Sequence, residues 1–188
     1  MPEFGWDRTT HATLTQQALS FHKLDPRVTT AILFGESLPD KGHPFNSANH
    51  YQTPDGGGNA IRSIIELFNK ADLIGLGEAV HYLQDICNPY HTTIGRLVAH
   101  RAYELYTGGV RIVFTPDKQF SVFQKDLVSS LQNLVVWSNR KLPALEQAML
   151  LNNESVKRSI TEMCKGVAAE ATYELVSIWR ECTDIEEM

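Results

Sequence analysis

His81 and Asp85 stand four residues apart, as do His100 and Glu104, and His91 lies between the two pairs. All five side chains are of types that ligate hard or borderline metal ions, and imidazole with carboxylate is a donor set suited to Zn²⁺. On a helix, residues i and i+4 share one face a single turn apart, so each pair can offer two donors to one ion. A lone His-x-x-x-Asp or His-x-x-x-Glu is ordinarily just such a pair on a solvated face. Two of them within 24 residues, with an Asn88-Pro89 break and a further histidine between, are harder to obtain that way. Residues 81–104 therefore read as the core of a metal cluster, catalytic or structural. The three cysteines, Cys87, Cys164 and Cys182, are widely separated and form neither a disulfide framework nor a Cys-x-x-Cys motif, so zinc here would be held by His and carboxylate. Cys87, beside the cluster, reads as packing, with metal contact as the alternative.

The elements that must position these donors are helical by periodicity. Thr9 or Thr10 is the candidate cap of a first helix that carries His11 in its first turn and runs to about residue 23, where Asp25-Pro26 closes it. Pro26 leads a short second helix over about residues 28–34. Residues 35–49 read as a long polar loop carrying Asp40, His43 and Phe45, followed by His50 and Tyr51 and a Gly-rich break at 53–58. Asn59 caps a helix in which Ile61, Ile64, Ile65 and Phe68 recur at helical spacing, and the next, about residues 73–86, carries His81 and Asp85. Another begins near Thr93 and carries His100 and Glu104 to a Gly108-Gly109 stop. Residues 110–114 alternate weakly. Two long helical patterns follow, about 118–151 with a break at Pro143 and about 154–182. Segments of strand character are too short and too few for a sheet, so the expected architecture is all-α, a compact multi-helix single domain over residues 1–188.

The formal net charge of -5 argues against holding long nucleic acid by phosphate neutralisation, which needs a basic face. A small phosphate ester held through metal is compatible with it. No run approaches the roughly 20 apolar residues of a membrane span, and the N-terminus lacks the apolar core of a secretory signal. The expectation is a cytoplasmic protein, or a secreted one if residues 1–5 replace a removed leader.

The string His81-Tyr82-Leu83-Gln84-Asp85, then Asn88-Pro89-Tyr90-His91, then His100-x-x-x-Glu104 resembles the metal core of the zinc-dependent phospholipase C family, whose fold is shared by the single-strand-specific zinc nucleases. Upstream, Trp6 and His11, Ser37-Leu38-Pro39-Asp40, and His50-Tyr51-x-x-Pro54-Asp55 extend the resemblance, which covers residues 6–104. It implies up to three zinc ions. Asp40, His50, His81 and Asp85 would hold one; His91, His100 and Glu104 a second; Trp6, His11 and a bridging Asp85 a third. It further implies hydrolysis of a phosphodiester by a metal-bound hydroxide, with Asp40 as both ligand and base. Phospholipid or a small phosphodiester stands ahead of nucleic acid as substrate, because Glu104 resembles the phospholipase branch. No stable nucleic-acid complex is expected, and transient contact with a membrane surface is compatible with the resemblance. The rivals are a single-strand nuclease and a non-catalytic zinc-binding helical domain.

Trp6 has a second reading, as a hydrophobic staple at the first helix. The gap from His91 to His100 is shorter than in the family, which trims the loop expected to wall the pocket. Tyr51 and Phe45 are aromatics able to face a choline-like cation or stack on a base, with Phe45 read as packing its loop. His43 reads as loop decoration, with a ligand role in place of His50 as the alternative, and His22 as a cation suited to a helix C-terminus.

Overall fold

The computed structural model describes residues 6–41 and 44–183. His43 lies outside the described residues, as does the side chain of Phe45. Among the described residues there are eight α-helices: α1 (Arg8–Leu19), α2 (Pro26–Glu36), α3 (Ala60–Phe68), α4 (Leu73–Ile86), α5 (Leu97–Thr107), α6 (Leu127–Asn139), α7 (Leu142–Leu150) and α8 (Glu154–Thr183). Three short 3-10 turns, Pro39–Lys41, Pro44–His50 and Pro89–Thr92, carry or flank Asp40, His50 and His91. No strand forms among the described residues, and the single β-bridge joins Gln52 to Gly58. The expected all-α class is the one found.

Helix α4 is the axle of the structure. It packs on α1, α2, α3, α6 and α8, and every residue from Gly75 to Ile86 except Glu78 is buried. A helix apolar on nearly all sides belongs inside the molecule, and α4 is short of bulk on the side that meets α2. A Cβ added at Gly77 would lie 2.1 Å from the Ile32 carbonyl oxygen and 2.6 Å from the Glu36 nitrogen. One at Gly35 would lie 2.2 Å from the Ile74 carbonyl oxygen. These two glycines let the α2 and α4 backbones touch, and that contact sets Glu36 beside His81.

Several boundaries differ from the sequence reading for identifiable reasons. The cap of α1 is Asp7, not Thr9 or Thr10: its carboxylate accepts from the Thr10 N–H at 2.6 Å, which makes Thr10 the capped donor. The helix stops at Leu19, and Lys23 adopts a left-handed φ of 51° before Asp25 caps α2. Helix α5 starts at Leu97 instead of near Thr93, leaving residues 93–96 irregular with Gly95 at φ 85°. Residues 110–114 form no strand because side chains take their backbone groups. Gln17 accepts from Phe114 N–H and donates to the Ile112 carbonyl, and the buried Lys165 ammonium donates to the carbonyls of Thr107 and Val110, both at 2.8 Å. Further along, the Glu174 carboxylate accepts from Val122 N–H, Phe123 N–H and the Ser121 hydroxyl.

The α2–α4 contact yields a paired prediction. Gly77→Ala forces two backbones apart and is expected to lower stability by about 3 kcal/mol, in the upper range for overpacking, and to weaken zinc uptake. In Gly166→Ala the new Cβ meets nothing within 4 Å, so the better helix former should leave stability equal or higher by up to about 1 kcal/mol. Denaturant melts of both variants, with zinc titrations, check the pair.

Candidate metal centre

Asp85 is fully buried on α4, and four imidazoles converge on its carboxylate. His11 Nε2 lies 3.4 Å from Oδ1 and His91 Nδ1 lies 3.6 Å from the same oxygen. On the other oxygen, His50 Nδ1 lies at 2.8 Å and His81 Nε2 at 3.4 Å. His81 Nε2 is also 3.5 Å from Asp40 Oδ1 and 3.4 Å from His50 Nδ1. The ligand atoms of His11, His81 and Asp85, of Asp40, His50 and His81, and of His91, His100 and Glu104 form three groups, each within 4.8 Å. Of the nine residues expected at the metals, eight enter these groups.

The ninth is Trp6, which is buried against the core with its ring 6.0 Å from that of His11. With Asp7 as the cap, Trp6 and His11 are the positions flanking the first turn, the arrangement of a hydrophobic staple. Cys87 packs: it is fully buried, its thiol donates to the Leu83 carbonyl at 3.3 Å, and burial pushes its pKa well up, away from thiolate. His22 is occupied elsewhere, at 3.0 Å from the Tyr173 carbonyl.

The ring orientations are set from behind. His11 Nδ1 faces Gln84 Oε1 at 2.8 Å, and the Gln84 amide is fixed in turn by donating to Thr15 and Thr172. His81 Nδ1 faces the Glu36 carbonyl at 3.0 Å, and His91 Nδ1 faces the His50 carbonyl. A carbonyl oxygen can only accept, so in each ring Nδ1 carries the hydrogen and a neutral ring turns the Nε2 lone pair outward. For His11 and His81 that lone pair meets a carboxylate oxygen, a repulsive arrangement unless a cation lies between. The side-chain atoms left without a hydrogen bond in the buried interior include His11 Nε2, His91 Nε2, His100 Nε2, Asp40 Oδ1 and Asp85 Oδ1. His100 Nε2 is only 2.8 Å from Glu104 Oε1, yet the pair is misdirected for a hydrogen bond.

Electrostatics follow the same hub. Burial disfavours the His11 cation, but Asp85, with Glu36 and Asp40 behind it, outweighs burial and raises the pKa from 6.5 to about 9. Burial likewise opposes charge on His50, and its Asp85 contact raises it. For His81, burial and the neighbouring His11 win, lowering its pKa, and burial takes His91 down to about 3. Burial opposes ionisation of Asp85, but the imidazoles of His91, His81, His11 and His50 hold its carboxyl well below the usual range.

Beside the third group opens a cavity of about 260 Å³ lined by Ser47, His50, Tyr51, Tyr90, His91, Thr93, Ile94, Gly95, Arg96 and His100. Tyr51 is therefore placed at the cavity, and the short 93–96 segment does wall it. The overlap with solved structures decides the fold. Over 98% of this chain and 67% of the other, the structure superposes on alpha-toxin from an avian strain of Clostridium perfringens with a TM-score of 0.68 at 16% identity. The chain shares the alpha-toxin fold. That is the fold expected from residues 6–104. At this identity the likeness to alpha-toxin speaks for fold alone. No family model and no curated protein matches the sequence.

Three residues that matter here were not singled out in the sequence: Glu36, whose carbonyl holds His81 and whose burial raises its carboxyl to about 7, Gln84, and Tyr90. Gln84 carried a signal, lying one residue from Asp85 on a helix too apolar to bury an unpaired amide. Glu36 carried none.

Metal uptake should be proton-linked. His11, and to a lesser degree His50, must lose a proton before ligating, while His81 and His91 are already neutral. Zinc affinity is expected to tighten as pH rises from 6.5 toward 9, by at most about tenfold per unit for each proton displaced. The metal-free fold behaves oppositely: stability from the raised His11 pKa is complete below 6.5 and lost as pH rises through about 9. Calorimetric zinc titrations in buffers of different ionisation enthalpy, with melts of the metal-free protein, measure both slopes.

Proposed function

We propose that this chain is a zinc-dependent phosphodiester hydrolase of the phospholipase C type, acting on a phospholipid head group or another small phosphodiester. The observation that carries it is the set of 3.4 to 3.6 Å contacts around Asp85, which are too long or misdirected for hydrogen bonds. Ligands at about 2.0–2.1 Å in a tetrahedron stand about 3.3–3.4 Å from one another, so the donors are already spaced for an ion. The reading is supported as well by the His81–Glu104 string, which resembles the metal core of the zinc-dependent phospholipase C family.

In this reading Asp40, His50, His81 and Asp85 would hold one ion, His91, His100 and Glu104 a second, and His11 with Asp85 a third, to which Trp6 would offer its carbonyl oxygen. Bound zinc supplies Lewis acidity, stabilising charge on phosphoryl oxygens and making hydroxide available near neutral pH. Asp40 has a buried Oδ1 without a hydrogen bond in the group it forms with His50 and His81, which supports a carboxylate there that would orient the attacking water and take its proton. Gln84 and the carbonyls of Glu36 and His50 keep the imidazoles from turning as charge develops.

Cavity size favours a small substrate. Its volume of about 260 Å³ falls below the roughly 300–1,000 Å³ of sites for drug-sized ligands. A head group and its phosphate fit, with Tyr51 against the head group and the rest of a lipid left outside. Stacked nucleotides would need more room and a basic rim, and Arg96, the one Lys or Arg among the described residues of the lining, is paired with Glu146.

Purified protein is expected to carry zinc and to hydrolyse a chromogenic phosphodiester, with activity lost on chelation and restored by zinc. Asp85→Asn should lose the ions that Asp85 would hold, lowering zinc content, and abolish activity with them. Asp40→Asn should cost about 10²- to 10⁴-fold in kcat, and His22→Gln neither metal nor rate. Metal without turnover on either lipid or single-stranded DNA would favour the non-catalytic zinc domain, and turnover of DNA alone would favour the nuclease.

A further inference from the structure

We infer that the Tyr90 hydroxyl is a substrate-binding group, donating a hydrogen bond to a non-bridging phosphoryl oxygen of the phosphodiester in the cavity. This rests on the phosphodiesterase reading and adds a recognition residue that is not one of its metal ligands.

Tyr90 is 3% exposed, and its hydroxyl has no hydrogen-bond partner. A buried hydroxyl without a partner is costly, and natural interiors rarely leave one so. Its neighbour Tyr103 shows the usual solution: fully buried, it pairs its hydroxyl with Thr161 Oγ1 at 3.0 Å. Tyr90 instead lines the cavity that also contains His50, His91 and His100.

Its position is held on three sides. Asn88 Oδ1 accepts from the Tyr90 N–H at 3.0 Å, at the head of the Pro89–Thr92 turn that also carries His91. The phenol ring stacks on His100 with centroids 5.8 Å apart and planes 10° from parallel. Tyr103 packs on it at 5.3 Å. The donor is therefore fixed relative to His91 and His100, where a phosphoryl group held by the second ion would sit. A neutral, rigid donor suits this place: it takes a share of the charge on the phosphoryl oxygen without competing for metal as a carboxylate would, and without adding a cation beside the zinc.

The test uses this chain loaded with zinc, with inorganic phosphate as the probe and a chromogenic phosphodiester as substrate. Tyr90→Phe removes only the hydroxyl. It is expected to weaken phosphate binding, measured calorimetrically, by about 10- to 100-fold, and to raise KM more than it lowers kcat, with zinc content unchanged. Tyr103→Phe should lower the melting temperature and leave phosphate affinity as it was. Wild-type phosphate affinity in Tyr90→Phe, with or without a change in melting temperature, would overturn the inference, because the hydroxyl would then serve the fold alone. So would a zinc-loaded wild-type protein that binds no phosphate at millimolar concentration. Failure of the wild-type protein to hydrolyse any phosphodiester would instead count against the phosphodiesterase reading, and the phosphate measurement would still decide the role of Tyr90.

Discussion

The structure depends on one buried carboxylate. Asp85 has no exposure to water, and its two oxygens face His11, His50, His81 and His91. A carboxylate in such a place is tolerated only when its charge is answered. In the metal-free chain the answer is protons, which is why His11 is pushed up to about 9, while burial pulls His91 down to about 3. A divalent ion answers the same charge without requiring any imidazole to hold an extra proton, and it also satisfies the Nε2 lone pairs that otherwise point at oxygen.

The architecture around that carboxylate follows from the need to bring donors from distant stretches onto α4. His11 arrives on α1, held by Gln84, itself an α4 residue, so that helix supplies both a candidate ligand, Asp85, and the support of another. Asp40 and His50 arrive on short 3-10 turns. The glycine contact between α2 and α4 brings the Glu36 carbonyl within reach of His81. The long α8 also packs on α4, and its Thr172 completes the hydrogen bonding of Gln84. Packing and site are therefore linked: Gln84, Thr172 and the Glu36 carbonyl belong to the interior and also hold the rings of His11 and His81 in place.

Much of this was legible in the sequence because the chemistry was local. The i, i+4 spacing of His81/Asp85 and His100/Glu104 survives into the structure since both pairs sit on regular helices, and the limits of α4 fall at residues 73 and 86 as its periodicity and Pro89 indicate. What was not legible depends on partners far along the chain. The cap at Asp7 was missed because Thr9 and Thr10 are equally good capping types. The late start of α5 reflects Gly95 in a left-handed conformation that pattern alone does not reveal. Glu36 and Tyr90 gain their meaning from His81 and from the cavity, neither of which is a sequence neighbour in any periodic sense for Glu36, and only a wall in space for Tyr90.

The central claim is that Asp85 joins ions held by nitrogen and oxygen donors. Anomalous diffraction at the zinc edge on crystals of the zinc-loaded protein tests it most directly. The account predicts one peak within about 2.2 Å of each Asp85 carboxylate oxygen and another between His91 and His100, all with nitrogen or oxygen ligands only. Zinc peaks confined to surface histidines, or none within bonding distance of Asp85, would contradict it.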